Sequence, residues 1–163
     1  MKTGKAILLG CGIVSVVLLI LMLGGGVAVY QMSQDPKGMA VYLESPGKVR
    51  KGELFDLRVL VVNERKSKSL TVESIDIDSA YLEGVSIRSS DPASRSNSQL
   101  PMEGGRSYVF DKTIAAGQTN VFIFHLRAKD TGTFSGDVDV CEGWRFLTTV
   151  AETEVTEATE AKE

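Results

Sequence analysis

Residues 52–63 read GELFDLRVLVVN, with an apolar side chain at every second position from Phe55 to Val61 and with Asp56 and Arg58 between them. Successive side chains of a β-strand point to opposite faces of its sheet. This alternation therefore predicts a strand with one buried face and one solvated face.

The same two-residue period recurs between residues 39 and 150. Alternating apolar positions occur in seven further segments: Met39–Leu43, Ile75–Ile77, Val85–Ile87, Tyr108–Ile114, Phe122–Leu126, Phe134–Val140 and Phe146–Val150. Gly-, Pro- and Asn-rich turn signals separate them, and no amphipathic helix pattern lies among them. Seven or eight short antiparallel strands predict an all-β fold of two packed sheets, each with an apolar inner face.

The stretch Gly52–Asn63 resembles the early strand of bacterial immunoglobulin-like surface domains related to cell-adhesion modules, which often carry Gly-x-x-Phe-x-Leu-x-Val-x-Val-x-Asn. Ile114–Thr119, which precedes Phe122, is similar to the turn into a late strand of those domains, and Gly132–Gly136 is similar to their penultimate strand. The resemblance covers residues 39–150 in outline. It implies an immunoglobulin-like β-sandwich and assigns no functional residues.

An apolar segment precedes this domain. Residues 6–29 read AILLGCGIVSVVLLILMLGGGVAV, without a charged side chain, and Tyr30 follows where an interfacial aromatic residue is expected. A helix of this length spans about 36 Å, which exceeds the ~30 Å hydrocarbon core of a bilayer. Because a helix satisfies its own backbone hydrogen bonds in lipid, the segment predicts one transmembrane α-helix over residues 6–30.

Two lysines within residues 1–5 favour a cytoplasmic N-terminus and a β domain outside the cytoplasm, as in a single-pass signal anchor. A cleavable signal peptide is the alternative, with Gly26–Ala28 as the cleavage site, although its apolar core would be unusually long. Small residues four positions apart, such as Gly24 and Ala28, would allow two transmembrane helices to associate closely.

The remaining segments differ in composition. Residues 31–38 (QMSQDPKG) are polar and contain Pro and Gly, which predicts a linker before the sandwich at 39–150. Residues 151–163 contain five Glu and one Lys and few large apolar groups, which predicts a disordered acidic tail. Residues 31–150 are close to neutral, so the domain lacks the basic face that nucleic-acid binding requires.

No catalytic constellation is recognisable. His125 is the one histidine, and the alternation places it opposite the aromatic face of its strand, where a surface or packing role is expected. One His does not provide the ligands of a blue-copper site near Cys141. Cys11 lies in the apolar segment, so it cannot pair with Cys141, for which a buried position is expected. We predict no catalytic, cofactor-binding or metal residue, and no enzyme activity.

Two pairs of aspartates, Asp76 with Asp78 and Asp137 with Asp139, each place two carboxylates on one strand face. If these strands are neighbours, the four carboxylates repel one another unless a hard cation such as Ca²⁺ lies among them. The favoured interpretation is that they occupy the solvated face of edge strands, where charge discourages aggregation.

Two segments are candidates for contacts. Arg88–Arg106 is a nineteen-residue stretch rich in Ser, Pro and Gly, and long loops without structure are usually functional or disordered. We interpret it as a contact loop, with a solvated insertion as the alternative. Arg65–Lys68 is a basic hairpin tip that could contact anionic headgroups, although a solvated turn is favoured.

These observations predict a membrane-anchored, extracytoplasmic and non-catalytic interaction module with a protein partner, of the kind found as bacterial envelope proteins or accessory subunits. The chain contains no Asn-x-Ser/Thr glycosylation site, which fits a bacterial source. The alternative is an envelope protein that binds a small ligand or Ca²⁺ through the paired aspartates.

Overall fold

A computed structural model of the chain describes residues 36–101 and 104–157. Ten strands and one short helix lie within these residues: β1 (Met39–Glu44), β2 (Lys48–Arg50), β3 (Leu54–Asn63), β4 (Leu70–Ile77), α1 (Ser79–Gly84), β5 (Val85–Asp91), β6 (Ser96–Gln99), β7 (Arg106–Ile114), β8 (Thr119–Ala128), β9 (Gly132–Glu142) and β10 (Arg145–Thr156). The all-β prediction is confirmed, with more strands than the seven or eight expected.

The strands form two sheets that pack face to face. A four-stranded sheet has the order β1-β3-β8-β5, and a six-stranded sheet has the order β2-β10-β9-β4-β7-β6. Neighbouring strands are antiparallel except β2 and β10, which are parallel. This arrangement is the β-sandwich that the alternation predicts, because strands such as β3, β4 and β8 turn their apolar positions toward the opposite sheet.

The core lies between the sheets. Its largest fully buried side chains come from both sheets and from α1: Tyr81, Phe122, Phe124, Leu57, Leu70, Ile75, Ile77, Leu126, Val59, Val61, Val72 and Val85. Aromatic pairs connect β7 to β8 across the interior, with ring centroids 4.8 Å apart for Phe110 and Phe122 and 5.2 Å apart for Tyr108 and Phe124. Such pairs add about 0.5–1.5 kcal/mol each beyond the burial of their area.

The helix α1 carries the chain from the six-stranded sheet to the four-stranded sheet. Asp78 caps it by accepting a hydrogen bond from the backbone N–H of Ala80 at 3.0 Å. Tyr81 is fully buried beneath it. Gly136 lies opposite the helix, and a Cβ there would come within 2.9 Å of the Tyr81 nitrogen. The sequence pattern does not indicate this helix because six residues contain fewer than two helical turns.

The prediction of disorder over residues 151–163 is wrong for residues 151–156, which continue β10. Ala151, Thr153 and Val155 point into the core and are buried, while the two intervening glutamates point outward. The inward side chains are small or polar, so their alternation does not register as hydrophobic. Pairing with β9 on one side and β2 on the other supplies the order that composition does not indicate. Residues 158–163 lie outside the described residues.

The start of β10 also differs from the expectation. The alternation predicts an inner face for Phe146, Thr148 and Val150, but all three are exposed on the outer face of the six-stranded sheet. Leu147 and Thr149 point inward instead, and Leu147 packs against the core. At the start of this strand Phe146 and Val150 therefore lie on the solvated side, whereas at its end the apolar Val155 is buried.

The predicted contact loop Arg88–Arg106 is partly strand. Its first residues belong to β5, and Ser96–Gln99 form β6, which pairs with β7 at the edge of the six-stranded sheet. All four β6 side chains are exposed and polar, so the strand has no apolar alternation by which it could be predicted. Residues 102 and 103 lie outside the described residues.

The predicted cytoplasmic segment 1–5 and transmembrane helix 6–30 lie outside the described residues, as does most of the predicted linker. Within residues 36–101 and 104–157, no helix has the length and apolar character needed to cross a bilayer.

Candidate functional site

The two aspartate pairs lie together on the outer face of the six-stranded sheet. β4 and β9 are neighbours, and Asp76 is the register partner of Asp139. The row continues to Thr148 on β10 and to Ser107 on β7. The aspartates are therefore solvated as expected, but the interpretation that they lie on edge strands is wrong, because β4 and β9 are interior strands of their sheet.

Hydroxyl groups stabilise the two facing carboxylates. Ser107 Oγ donates to Asp76 Oδ1 at 2.6 Å, and Thr148 Oγ1 donates to Asp139 Oδ1 at 2.6 Å. Like charges directly opposite each other on neighbouring strands are destabilising, and hydrogen bonds to charged groups contribute about 1.5–3 kcal/mol. The hydroxyl groups therefore allow both carboxylates to stay on one face.

The carboxylates line a groove of about 510 Å³. Asp78 lies at one end, where it also caps α1, and the exposed Asp137 lies beside it. Leu100 and Phe146 contribute apolar walls. Within the described parts of the chain, no group of three or more His, Cys, Asp or Glu side chains is arranged to hold a metal ion. Calcium binding by the paired aspartates stays a prediction.

Large apolar side chains are exposed on the outer face of β10 and in the turn before it. Trp144, in the turn between β9 and β10, is 81% exposed, and Phe146 and Val150 on the outer face of β10 are 50% and 58% exposed. Aromatic residues are enriched where proteins bind one another. We call this surface the acidic–aromatic face, and define it by Asp76, Asp78, Asp137, Asp139, Trp144, Phe146 and Val150. The sequence reasoning missed its apolar half because it assigned Phe146 and Val150 to the core.

An ion pair stabilises the strand end next to the turn that contains Trp144. Arg65 Nη1 donates to Glu142 Oε1 at 2.7 Å, and Arg65 Nη2 donates to Glu142 Oε2. Both side chains are mostly buried, at 21% and 24% exposure. The hydrogen bonds to Glu142 raise the pKa of Arg65 above its ordinary value. Arg65 is thus ion-paired within the fold, so Lys66 and Lys68 are the exposed cations of the predicted basic tip.

Cys141 lies in the next row of the same face, as the register partner of Ser74 and Phe146. It is half-buried rather than buried as expected. Its Sγ lies 3.7 Å from Asp76 Oδ2. Burial, together with the charges of Asp76 and Asp139, raises the pKa of the thiol to about 11, although a hydrogen bond with Ser74 opposes this.

The outer face of the four-stranded sheet carries a second site, around His125. Nδ1 of His125 lies 2.7 Å from Oδ1 of Asp56, its register partner on β3. The pair lines a cleft of about 670 Å³ together with Leu54, Arg88 and Arg127. We call it the His125 cleft. The alternation predicted that His125 faces outward, but the sequence alone could not place Asp56 beside it.

The pairing determines which nitrogen of His125 is available. An ionised carboxylate only accepts hydrogen bonds, so Nδ1 carries the hydrogen and Nε2 is left for another partner. Ser89 on β5 is the register partner of His125 on the other side. Within residues 36–101 and 104–157, no hydrogen bond joins Ser89 to His125. Asp56 therefore orients the imidazole of His125, but Ser89 does not form with it the hydrogen bond through which a base activates a serine.

Comparison with known proteins identifies similar folds. No family model matches the chain, and no curated protein sequence matches it. Among solved structures, a cohesin module of a family 33 glycoside hydrolase from Clostridium perfringens is similar, with 12% identity and a TM-score of 0.49, over 76% of this chain and 100% of that module.

Two further structures are similar to a comparable extent. A CARDB domain from Pyrococcus furiosus, in complex with di-metal ions, has 12% identity and a TM-score of 0.43, over 77% of this chain and 96% of that domain. The cupredoxin domain of amoB from Nitrosocaldus yellowstonii has 11% identity and a TM-score of 0.44, over 79% of this chain and 94% of that domain. All three are immunoglobulin-like β-sandwiches, and the likeness concerns the fold alone.

Proposed function

We propose that this chain is a non-catalytic interaction module, attached to a membrane by residues 6–30, that presents its β-sandwich outside the cytoplasm. The attachment is supported by the uncharged apolar stretch, which is long enough to cross a bilayer as a helix. The orientation is supported by the two lysines that precede it.

The observation that carries the interaction role is the exposure of Phe146 and Val150 beside the carboxylates, with the exposed Trp144 in the adjoining turn. Soluble domains seldom leave neighbouring large apolar groups uncovered unless they bind something there. The carboxylates would be complementary to a positively charged surface. We therefore infer a protein partner that offers Lys or Arg side chains next to an apolar group.

The construction of this face suits it to binding. Most of its residues come from hydrogen-bonded strands, whereas Trp144 lies in the turn and Asp78 caps α1. Arg65 contacts the hairpin end through two hydrogen bonds to Glu142. A surface that is already rigid loses less conformational entropy when it binds a partner. Trp144 supplies a large aromatic contact at the end of the hairpin, and aromatic residues often dominate the energy of an interface.

A capture experiment tests this role. The full-length chain, cross-linked in its native membranes and purified in non-ionic detergent, should retain a basic partner, and cross-linking at high salt should recover less of it. The double variant Trp144→Ala/Phe146→Ala should lose that partner. Tyr42→Ala is the matched control, because Tyr42 is 58% exposed on the outer face of the other sheet. Equal recovery with the double variant would contradict the proposed face.

A separate experiment tests the attachment. Alkaline carbonate removes peripheral proteins from vesicles but leaves proteins with a membrane-spanning helix in the pellet. The full-length chain should stay in the pellet, and a variant lacking residues 1–35 should be released. Release of the intact chain would contradict a transmembrane anchor, whatever the result of the capture experiment.

The register pairing of Asp76 with Asp139 supports the second candidate, Ca²⁺ binding. Oxygen ligands are those that Ca²⁺ prefers, and four carboxylates line the groove. Calorimetric titration of the full-length chain with Ca²⁺ should then release heat, and Asp76→Asn should reduce the affinity. No heat and no change in thermal stability on adding Ca²⁺ would rule this candidate out.

A further inference from the structure

The His125 cleft lies on the sheet face opposite the acidic–aromatic face, and its charge has the opposite sign. Arg88, Arg127 and His125 contribute nitrogen donors to its wall, whereas Asp56 is the one carboxylate among its lining residues. Asp56 is already bound to His125. The remaining unneutralised charge in the cleft is therefore positive.

A β-bulge in β5 lies beside this cleft. Ile87 pairs with Leu126 and Ser89 pairs with His125, so Arg88 is an extra residue between two consecutive register pairs. Bulges re-aim side chains and recur next to functional sites. Regular alternation places Arg88 on the outer face together with Ser86, and the bulge leaves the next residue, Ser89, exposed as well.

The two arginines keep most of their donors unused. Arg127 donates from Nε to the carbonyl of Gly52 at 3.2 Å. Among the described residues, no carboxylate lies within 4 Å of either guanidinium. Arg58 on the same sheet face differs, because its Nη1 lies 3.2 Å from Glu44. The cleft thus contains arginines that the fold itself does not neutralise.

We infer that the His125 cleft binds a phosphate or sulfate group. Two guanidinium groups and the Nε2 of His125 offer donors from three sides, which suits a tetrahedral oxyanion better than the two oxygens of a carboxylate. The charge of a phosphate ester at neutral pH, about −1.5 to −2, balances the two arginines. The exposed side chain of Leu54 borders the cleft and would contact the rest of the ligand.

The proton on His125 is part of this inference. Nδ1–H is bound to Asp56, so Nε2 becomes a donor only when the imidazole is protonated. In that form the imidazole would donate from Nε2 to an oxyanion held by Arg88 and Arg127.

The single histidine makes a direct test practicable. Because the chain contains one His, its imidazole gives one set of NMR signals. Titration of the full-length chain in non-ionic detergent with inorganic phosphate should shift these signals to saturation. Arg88→Gln and Arg127→Gln should each weaken binding about tenfold or more, since a charged hydrogen bond contributes more than 1.4 kcal/mol. Both arginines are exposed, so the variants should remain folded.

Arg58→Gln is the matched control, with an ion-paired arginine on the same face but outside the cleft, and it should bind phosphate like the natural chain. His125→Ala, followed by its backbone amide signals because the imidazole is absent, should bind phosphate more weakly than the natural chain. Glucose 6-phosphate and dihexanoyl phosphatidic acid, titrated in the same way, distinguish a soluble phosphate ester from a lipid headgroup. Unshifted signals in phosphate and in sulfate, or equal weakening by Arg58→Gln, would overturn the inference.

Discussion

The hydroxyl of Tyr81 on α1 and the hydroxyl of Thr153 on β10 lie 3.0 Å apart in the core, and both residues are completely buried. Buried polar groups are almost always hydrogen-bonded, because leaving one unpaired costs about 1–3 kcal/mol. This contact joins the short helix to the strand that extends into the acidic C-terminal region. It explains why a segment rich in Thr and Glu is part of the fold.

The pair predicts a measurable coupling. Tyr81→Phe leaves the Thr153 hydroxyl without this partner, and Thr153→Val does the same to Tyr81, so each should lower the free energy of unfolding by about 1–3 kcal/mol. The double variant removes both polar groups and should be less destabilised than the sum. Urea unfolding followed by circular dichroism measures all four proteins. Strictly additive losses would show that the two hydroxyls do not stabilise each other.

Asn63 predicts a larger effect, because it connects two turns. Its Nδ2 donates to the carbonyls of Lys68 at 2.9 Å and Ile114 at 3.0 Å, and its Oδ1 accepts from the Arg65 N–H at 3.1 Å. The residue is completely buried. Asn63→Asp cannot donate to either carbonyl and places a charge beside them, so we expect a loss of about 3 kcal/mol or more.

The control for Asn63 is a second, exposed asparagine. Asn97 on the edge strand β6 accepts one hydrogen bond, from Arg106 at 3.2 Å, and is exposed. Asn97→Asp should change the free energy of unfolding by less than about 0.5 kcal/mol. Thermal unfolding of the two variants makes the comparison. A loss for Asn63→Asp no larger than for Asn97→Asp would contradict the assigned role.

The segment Gly52–Asn63 contains features of the fold that the sequence predicts and one that it does not. Alternation along β3 predicted its buried residues, because burial in a sheet follows a local rule. The role of Asn63 depends on Ile114, which is 51 residues away. No local pattern contains that relationship. The local sign of a special role is a polar Asn at the end of an apolar strand.

The two sites show the same division. The sequence placed Asp76 and His125 on solvated faces, and the structure has them there. Whether an aspartate faces another aspartate or a histidine depends on strand order and register. Asp76 meets Asp139, and Asp56 meets His125, through pairings between strands that are far apart in the chain. A local sequence pattern does not specify which strands are neighbours, so these two contacts could not be predicted from it.

Close packing at Gly105 predicts a selective effect of adding one methyl group. A Cβ at Gly105 would lie 2.5 Å from the carbonyl oxygen of Ile77, at the end of β4. Because the obstacle is backbone, the strand itself must move, and Gly105→Ala should cost about 1–3 kcal/mol. Gly47→Ala is the control, since no atom lies within 4 Å of its added Cβ. Thermal unfolding that does not separate the two variants would contradict this packing.

The environment of Cys141 predicts an unreactive thiol. Burial and the charges of Asp76 and Asp139 raise its pKa to about 11, and the thiolate is the form that reacts with alkylating reagents. In a Cys11→Ser variant, where Cys141 is the remaining cysteine, iodoacetamide should react at least about tenfold more slowly at pH 8 in the folded protein than in urea. Equal alkylation rates in the two states would contradict a raised pKa.

The same raised pKa makes the stability of the fold depend on pH. Because the folded pKa exceeds the unfolded one, the stability that Cys141 contributes is present below pH 9 and is lost as the pH rises toward 11. Cys141→Ala should therefore reduce the loss of stability between pH 8 and 10, as measured by urea unfolding.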